Sequence, residues 1–480
     1  MAGTHDTDDS GDWSPRRTLV IPLSGLMAAQ FAAAMSGTIV ATSIPTLMAN
    51  LDGPSSHAVW LVAATVLANT ATTPIWGKFG DLFDPRRVLL VALGIFVVGT
   101  ALAAFSLSTT MLIGSRAVQG IGLGGVFSGV AIAVASLVGP RHRGRVNGWL
   151  SIMQTTAQLI APVAGGVLAA TPWLGWRWSF YLIFPIALIA FAIVLFTLKL
   201  PGRTPSAHRT DYAGALLIAS TVTSLLLCAT AIAESGWDSP TALVSGIGGV
   251  LLLIATAIVE TRAADPIVPF ALLARRTPAL VVIAAFCAGS TLFTGTVFAS
   301  QYLQYVLRMN PAQSGALLVP MALATAVAAF GAGRFMSRTA RIRPVLITGF
   351  ASMLTGAIVL ARISLAPFVM AVFGTVLVAA GLGMLVQNLV LAAQNTVSIS
   401  EIGTMSSTVL FFTTLGGTVA LVVLGAVLDG FVGRATRAGA SQADAYGDGI
   451  SAVFVITAFV VSVGFVAMLA LPSTRLRSVQ

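Results

Sequence analysis

The sequence predicts an all-α protein that lies in a membrane and crosses it many times. Of the 480 residues, 56% are hydrophobic and only 9% are charged, whereas a soluble domain carries about 25% charged residues. So few charges do not make a water-facing surface, and lipid is the expected solvent for most of the chain. Uncharged stretches of about twenty residues alternate with short charged segments, as membrane helices alternate with loops.

Apolar stretches of helical length occur fourteen times along the chain. They lie at 18–47, 58–80, 88–108, 111–138, 145–170, 178–199, 211–233, 241–261, 278–306, 311–336, 343–362, 365–396, 402–430 and 449–472. Of the 26 cations, twenty fall in one alternate set of loops and termini, five fall in the other set, and Arg116 lies within a stretch. Because cytoplasmic loops carry an excess of Lys and Arg, this bias predicts an even number of spans, both termini in the cytoplasm and a multi-pass protein of the plasma membrane.

The formal net charge of +10 does not indicate a nucleic-acid-binding protein. The cations lie in short loops, whereas a phosphate-binding surface would cluster them on one element. Cys228 and Cys287 lie in apolar stretches and are expected to be buried hydrophobic residues, so neither a metal site nor a cofactor is predicted. The polar residues 1–17 are expected to form a disordered cytoplasmic tail rather than a cleaved signal peptide, and residues 473–480 a second tail.

A faint internal repeat divides the chain. Segment 77–87 matches segment 333–343 at an offset of 256 residues, and both begin with Gly, a basic residue and Phe and end in Arg. We therefore expect two six-helix bundles, at 18–199 and 278–472, with a helix pair at 200–277 inserted between them. Internal repeats are the usual construction of secondary transporters, whose substrate site lies between the repeats.

The charged segment between the second and third stretches resembles the signature loop of the major facilitator superfamily. The residues that carry the resemblance are Gly77, Gly80, Asp81, Arg86 and Arg87. In that family the aspartate meets a helix N-terminus and the cluster latches the inward-closed state, so the resemblance implies a conformational latch. The sequence departs from the family pattern at Leu82, Asp84 and Pro85. The alternative is an ordinary cytoplasmic loop rich in cations.

Arg116 lies a few residues into the fourth stretch and is followed by Gln119. A lone arginine in a membrane helix costs about 2.5–3.5 kcal/mol on insertion scales, which implies a partner or a watery cavity. Segment 112–120 resembles the fourth-helix motif of the same superfamily, in which the arginine lines the cavity and is linked to proton transfer. The alternative is an arginine that snorkels to the inner interface or has a structural partner.

Three further segments resemble exporters of this superfamily. Segment 157–166 resembles the antiporter motif, on the residues Pro162, Gly165 and Gly166. Proline bends a helix and a Gly-Gly pair lets a neighbour approach, so a generic kink is the alternative. Segment 36–45 resembles the first-helix motif of the fourteen-helix drug–proton antiporters, with Ser36 where that family usually has aspartate, and segment 265–273 resembles the linker after its inserted helix pair. The resemblance implies a major facilitator fold of two six-helix bundles plus two inserted helices, fourteen in all.

A proton-coupled exporter needs a titratable group in its path. The four histidines and the sixteen acids fall in tails, loops or the ends of stretches. The remaining candidates for coupling are Asp429, near the outer end of the thirteenth stretch, and a group near Arg116, Gln119 and Asp81. Because no acid lies at the midplane, we expect a neutral or anionic amphipathic substrate rather than a multivalent cation.

Neutral polar side chains on apolar helices are the remaining candidates for substrate contacts. They are Gln30, Ser36, Thr38, Gln154, Gln158, Gln301, Gln304, Gln387 and Asn388. Hydrogen bonding between helices explains any one of them equally well. The sequence thus predicts a monomeric exporter of small drug-like compounds that works by alternating access in exchange for protons. An importer or facilitator of the same fold is the alternative, whereas an enzyme would need clustered acids, histidines, cysteines or metal ligands at one depth.

Overall fold

The computed structural model describes residues 17–51, 57–171, 173–200, 212–236, 239–262, 270–309, 318–398 and 401–472, and these contain fourteen helices of 19 residues or more. The helices are α1 (Arg17–Leu51), α2 (His57–Leu82), α3 (Pro85–Ala104), α4 (Thr109–Leu137), α5 (Pro140–Ala170), α6 (Trp178–Thr197), α7 (Tyr212–Ser235), α8 (Pro240–Arg262), α9 (Arg276–Tyr305), α10 (Leu318–Thr339), α11 (Arg343–Ala361), α12 (Pro367–Gln394), α13 (Ile402–Arg437) and α14 (Gln442–Leu469). Single turns at Phe270–Leu273 and Ile363–Leu365 precede α9 and α12. The predicted tails and most of the predicted linker at 265–273 lie outside the described residues.

Eleven of these helices are long and apolar enough to cross a bilayer. The other three in the described ranges are α2, α5 and α7. Helices α2 and α5 carry polar side chains that line a central cavity, and the apolar part of α7 is the shorter stretch Leu216–Leu225. The structure therefore supports a multi-pass membrane protein, while a count of fourteen spans stays a prediction.

Two helices extend beyond the predicted spans and shorten the loop between them. Helix α13 continues to Arg437, and α14 begins at Gln442 rather than at 449. The Nε of Arg437 donates to the carbonyl of Gly433 at 2.8 Å. The side-chain oxygen of Ser441 accepts a hydrogen bond from the N–H of Asp444 at 3.2 Å and caps α14. Such local caps continue a helix past its apolar part, which hydropathy alone does not indicate.

Helices α1 to α6 and α9 to α14 form two bundles with the same pattern of neighbours. In the first bundle α1 packs on α5 and α6, α4 packs on α2 and α3, and α3 packs on α6. In the second bundle α9 packs on α13 and α14, α12 packs on α10 and α11, and α11 packs on α14. Each contact recurs eight helices later, so the faint repeat of the sequence is also a repeat of packing.

An arginine at the start of the third helix of each bundle caps the last helix of that bundle. One terminal nitrogen of Arg86 donates to the carbonyl of Leu195, near the end of α6. The corresponding nitrogen of Arg343 donates to the carbonyl of Leu469, at the end of α14, at 2.7 Å. Cations at helix C-termini stabilise the unpaired carbonyls there, so both arginines tie loops to the bundle that carries them.

The inserted pair of helices packs at one of the two seams between the bundles. Helices α7 and α8 pack on each other, and α7 also contacts α2 and α13. Ile218 and Val222 of α7 form a buried cluster with Leu67 and Ala71 of α2 and with Phe411 of α13. The pair therefore covers the α2–α13 seam, while the equivalent α5–α10 seam has no such cover among the described helices.

Candidate functional site

A central cavity of about 230 Å³ lies between the two bundles. Its walls come from α1, α2, α4 and α5 of the first bundle and from α9, α10, α12 and α13 of the second. Within the described part of the chain its polar lining consists of uncharged amides and hydroxyls: Gln30, Asn69, Thr73, Ser151, Gln154, Thr155, Gln158, Thr325, Gln387, Thr413 and Thr414. Apolar side chains such as Phe127 and Met321 complete the walls. This composition suits a molecule with both apolar and neutral polar groups.

Four of the predicted contact residues line this cavity. They are Gln30, Gln154, Gln158 and Gln387. The Nε2 of Gln30 donates to the Oε1 of Gln154 at 3.3 Å, which links α1 to α5 at the cavity wall. The side chain of Gln158 is exposed, so its amide is free to turn toward a bound molecule.

The other five predicted contact residues do not line the cavity. They are Ser36, Thr38, Gln301, Gln304 and Asn388. The hydroxyl of Ser36 donates to the carbonyl of Ala33 at 3.1 Å, within its own helix. Asn388 follows Gln387 and therefore lies about 100° further around α12, where its Nδ2 donates to the carbonyl of Met384 at 2.8 Å. The sequence gives the depth of a residue in the membrane, but not the face of the helix on which it lies.

Several residues that line the cavity were not predicted from the sequence, because they have short side chains with a hydroxyl group. Threonines in membrane helices commonly bond to the carbonyl four residues earlier, as Thr73 does to Asn69 at 2.6 Å and Thr413 to Val409 at 2.8 Å. Such residues are therefore common on lipid-facing helices too. On α2 the sequence did contain a signal, namely a high density of polar residues: four of the five residues from Asn69 to Thr73 are polar.

Arg116 is fully buried but does not line the cavity. Its Nε donates to the carbonyl of Leu61 at 3.1 Å, and one terminal nitrogen donates to the carbonyl of Ser36 at 3.2 Å and to the amide oxygen of Gln119. Gln119 in turn donates to the hydroxyl of Thr100 at 2.7 Å. The guanidinium and Gln119 thus link α4 to α1, α2 and α3. This position differs from the cavity-lining position that the family resemblance implied, because neutral acceptors inside the first bundle bind its Nε and one terminal nitrogen. The other terminal nitrogen is buried without a hydrogen-bond partner in the described part of the chain.

Asp81 bridges the two bundles at their inner end, which is the end that carries the loops rich in cations. Its carboxylate oxygens accept hydrogen bonds from the N–H groups of Gly403 at 2.8 Å and Thr404 at 2.6 Å. These N–H groups belong to the first turn of α13, where the helix dipole is positive. Gly77 permits this approach, because a Cβ on it would lie 1.8 Å from the Oγ of Ser407. The carboxylate therefore holds α2 against α13.

The remaining residues of the loop act within the first bundle. A Cβ on Gly80 would lie 2.4 Å from the Cδ1 of Ile132, so this glycine lets α2 pack on α4. The side chain of Arg87 is 86% exposed, and its Nε lies 3.6 Å from the carboxylate of Asp84. A surface pair of this kind contributes little stability.

The departures from the family pattern at Asp84 and Pro85 have a local cause. The carboxylate of Asp84 accepts a hydrogen bond from the N–H of Arg86 at 3.0 Å and caps α3. Pro85 occupies the first turn, where its missing N–H removes no helix bond. This Asp-Pro pair starts α3 sharply and is separate from the Asp81 contact.

The second copy of the repeat makes the equivalent contact across the other seam. Gly333 of α10 is the counterpart of Gly77, and a Cβ on it would lie 2.3 Å from the carbonyl oxygen of Gly144 in α5. Ser337 stands where the first copy has Asp81, and its hydroxyl donates to the carbonyl of Arg334 at 2.9 Å. Close glycine packing therefore occurs at both seams, whereas the carboxylate on a helix N-terminus belongs to the first.

We expect Gly333→Ala to weaken the inner closure and Gly331→Ala to leave it intact. The methyl group at position 333 meets backbone at 2.3 Å, while at position 331 it meets nothing within 4 Å. Overpacking costs about 1–3 kcal/mol, enough to shift a two-state equilibrium roughly tenfold. The measurement is the rate at which a thiol reagent labels a cysteine introduced in place of Thr404, a residue that is 5% exposed. Cys228 and Cys287 are first changed to alanine so that only the introduced cysteine reacts. Equal labelling rates in the two glycine variants would contradict the expectation.

Polar and apolar contacts of several other helices close the inner end further. The Nδ2 of Asn147 in α5 donates to the carbonyl of Gln387 in α12 at 3.2 Å. The Nε2 of Gln394 in α12 lies 3.5 Å from the carbonyl of Ala131 in α4. Ala135 of α4 belongs to a buried cluster whose other members come from the second bundle and, in the case of Leu272, from the turn that precedes it. The two bundles are thus joined at this end by several helices.

The outer end of the second bundle has a core of its own. Phe298 and Tyr302 of α9 lie in a buried cluster with Leu360, Leu424 and Phe454, and every described member of that cluster belongs to the second bundle. This contrasts with the inner end, where α4 enters the core of the second bundle. The arrangement is that of a two-bundle protein closed at its inner end.

Asp429 and the Pro162 segment lie away from the inner closure. Asp429 is exposed on α13, 26 residues after Gly403, which is about 40 Å along the helix. Pro162 lies inside α5, as does Gly166. The carbonyl of Gly165 accepts a hydrogen bond from the hydroxyl of Ser43 in α1 at 3.4 Å. The Pro162 segment therefore packs against the first helix of its own bundle.

A profile of the Major Facilitator Superfamily matches residues 26–421, which is most of the chain. The chain belongs to the Major Facilitator Superfamily. Members of this superfamily are membrane transporters rather than enzymes, in agreement with two packed bundles around a cavity.

Three curated members of the superfamily show the range of its relatives. The multidrug transporter protein MdtP of Bacillus subtilis is 31% identical over 425 residues, covering 86% of this chain and 76% of that protein. An uncharacterized MFS-type transporter of Mycobacterium tuberculosis H37Rv is 32% identical over 425 residues, and the match spans 88% of this chain but only 61% of that protein. The efflux pump FUS6 of Gibberella fujikuroi is 32% identical over 332 residues, covering 67% of this chain and 59% of the pump.

Solved structures of the superfamily share the fold. The human organic anion transporter MFSD10 has a TM-score of 0.64 at 17% identity, covering 93% of this chain and 100% of that one. A bacterial homologue of ferroportin in an outward-facing state has a TM-score of 0.65 at 14% identity, covering 95% of this chain and 99% of that one. A fucose:proton symporter of Escherichia coli has a TM-score of 0.61 at 15% identity, covering 95% of this chain and 100% of that one. At these identities the likeness extends to the fold alone.

Proposed function

We propose that this chain is a fourteen-helix secondary transporter of the drug–proton antiporter type, which exports small neutral amphipathic compounds by alternating access. The observation that carries the proposal is the central cavity, which lies between two repeated bundles and is lined by uncharged amides, hydroxyls and apolar side chains. Alternating access needs bundles that separate at one end while they join at the other. The inner contacts of Asp81 and Gly333 are the ones that would have to break.

The charge bias of the loops supports a plasma-membrane orientation with both termini in the cytoplasm, so that the inner end faces the cytoplasm. On this assignment the chain consists of a tail at 1–17, a bundle at 18–199, an inserted pair at 200–277, a bundle at 278–472 and a tail at 473–480. The structure then corresponds to a state closed toward the cytoplasm. The transporter acts as a monomer, because each chain has both bundles that surround the cavity.

Export rather than import is supported by the Pro162 segment and by the relatives named as a multidrug transporter and an efflux pump. The importer of a small organic solute stays the alternative, because a fucose:proton symporter has the same fold. Of the neutral and anionic substrates that the sequence leaves open, the cavity favours the neutral class. Arg116, the deep cation that an anion would need, donates instead to Leu61, Ser36 and Gln119.

Exchange for protons is the driving reaction that we propose, with Asp81 as the carboxylate that couples it. Protonation of Asp81 would remove the negative charge that the N-terminus of α13 stabilises, and so would loosen the inner closure. Asp429 is the second candidate, but it is exposed and distant from the inner contacts. A gradient of one pH unit supplies about 1.4 kcal/mol per proton, which is comparable to one such hydrogen bond.

The test is transport by the purified full chain in liposomes with an imposed pH gradient. Three derivatives of one aromatic dye serve as probes: an uncharged ester, a quaternary ammonium and a carboxylate. We expect the uncharged probe to move fastest and its rate to rise with the gradient. Faster transport of the quaternary ammonium than of the uncharged ester, or a transport rate that does not change with the pH gradient, would contradict the proposal.

A further inference from the structure

The two seams between the bundles are equivalent by the repeat but differ in what covers them. At the α2–α13 seam, Ile218 and Val222 of the inserted helix α7 pack directly on both bundles. At the α5–α10 seam the helices touch near the inner end, where a Cβ on Gly148 would lie 3.1 Å from the carbonyl oxygen of Ala329. Beyond that contact, toward the outer end, a groove runs between them.

The groove is lined by apolar side chains of three helices. They are Leu159, Ile160, Ala164, Val167 and Leu168 of α5, Leu182 of α6 and Val319 of α10. Ile160, Val167 and Val319 are 44%, 60% and 46% exposed, so the groove is open to the surroundings of the helices. In a membrane those surroundings are lipid chains, and an apolar groove there accepts a hydrocarbon chain without loss of hydrogen bonds.

Leu159 lines both this groove and the central cavity. It is thus the wall between an apolar space open to the bilayer and a cavity lined by amides. Gln158, the preceding residue, is exposed and lines the cavity. Pro162 has no N–H to donate to the backbone carbonyl of Gln158, so α5 leaves a polar acceptor at the same level. Polar and apolar recognition groups therefore lie side by side at this point.

We propose that the α5–α10 groove is a lateral passage between the cavity and the outer leaflet, with Leu159 as its gate. This inference rests on the proposed function, and it specifies the substrate as an amphiphile with an uncharged polar head and a flexible apolar tail. The head binds among the cavity amides while the tail leaves through the groove into lipid. The inserted helix pair covers the equivalent seam, so among the described helices the lateral passage lies at the α5–α10 seam.

The test compares two probes that share one uncharged fluorescent amide head and differ in tail, a dodecyl chain in one and a methyl group in the other. Both are assayed with the full chain in liposomes. We expect Val319→Trp to slow the dodecyl probe about tenfold, because the indole fills the groove from the α10 wall, and to change the methyl probe little, because Val319 does not line the central cavity. Leu159→Trp obstructs the groove from the α5 wall; because Leu159 also lines the cavity, this variant is expected to slow both probes, the dodecyl probe more strongly.

The matched control is Ile189→Trp, which adds the same indole to a side chain that is 57% exposed on α6 and does not line the groove. Both probes are expected to keep the rate of the unchanged protein in this variant. Equal slowing of the two probes by Val319→Trp, or no slowing of the dodecyl probe by either variant, would overturn the lateral passage while leaving export intact. Failure of the unchanged protein to move either probe would overturn the proposed function itself.

Discussion

Changing Asp81 to asparagine is expected to lower the transport rate about tenfold without unfolding the protein. The carboxylate accepts hydrogen bonds from the N–H groups of Gly403 and Thr404. Asparagine offers one neutral carbonyl oxygen in place of two charged ones, so one bond and the charge are lost together. A hydrogen bond to a charged group contributes about 1.5–3 kcal/mol, and a charge at a helix N-terminus adds to it. The inner closure is then populated less, and the transport cycle slows.

Asp84→Asn is the matched control for this prediction. It makes the same chemical change three residues further along the chain, at the residue that caps α3. Asparagine caps helices as well as aspartate does, so we expect transport to be unchanged. The measurement is the initial transport rate of both variants in liposomes. Similar rates for the Asp81 and Asp84 variants would show that the contact with α13 does not control the cycle.

Changing Arg116 to alanine is expected to destabilise the protein by about 3 kcal/mol or more. The side chain is fully buried, and its removal takes away the hydrogen bonds that the carbonyls of Leu61 and Ser36 and the amide oxygen of Gln119 accept from it. The vacated volume adds the cost of a cavity. Arg116→Lys is expected to recover part of this loss, since an ammonium keeps the charge but lacks the planar fork of donors.

The measurement is the thermal unfolding midpoint of the purified variants. Arg338→Ala is the control, because that arginine is exposed at the end of α10 and surface substitutions change stability by less than about 0.5 kcal/mol. An Arg116→Ala protein that unfolds at the normal temperature but no longer transports would assign the guanidinium to transport. That outcome would favour the role that the family resemblance implied over the structural one described above.

The sequence predicted the helical membrane fold and the repeat because these depend on local pattern, whereas the approach of Asp81 to a helix N-terminus was implied by the resemblance to the family. Composition and span length follow from the apolar solvent that surrounds the helices. The repeat was visible at Gly77 and Gly333 because only glycine permits such close crossing of helices. In each case a few neighbouring residues carry the physical requirement.

The lining of the cavity was predicted less well because it depends on how each helix is rotated. Gln387 lines the cavity and the adjacent Asn388 does not, although both are amides at the same depth. Arg116 was expected to line the cavity, yet its guanidinium donates to carbonyls of α1 and α2 inside the first bundle. Leu159 lines both the cavity and the groove, and this depends on how α10 packs beside α5. Such properties arise only from tertiary packing.

The central claim is that the inner ends of the two bundles separate during transport. The most direct measurement is the distance between spin labels at Lys199→Cys, at the end of α6, and Arg338→Cys, at the end of α10, both of which are exposed positions. The account predicts two distance populations, the shorter one favoured in the unchanged protein and the longer one enriched by Asp81→Asn. A single distance that neither substrate, nor a pH gradient, nor Asp81→Asn alters would contradict it.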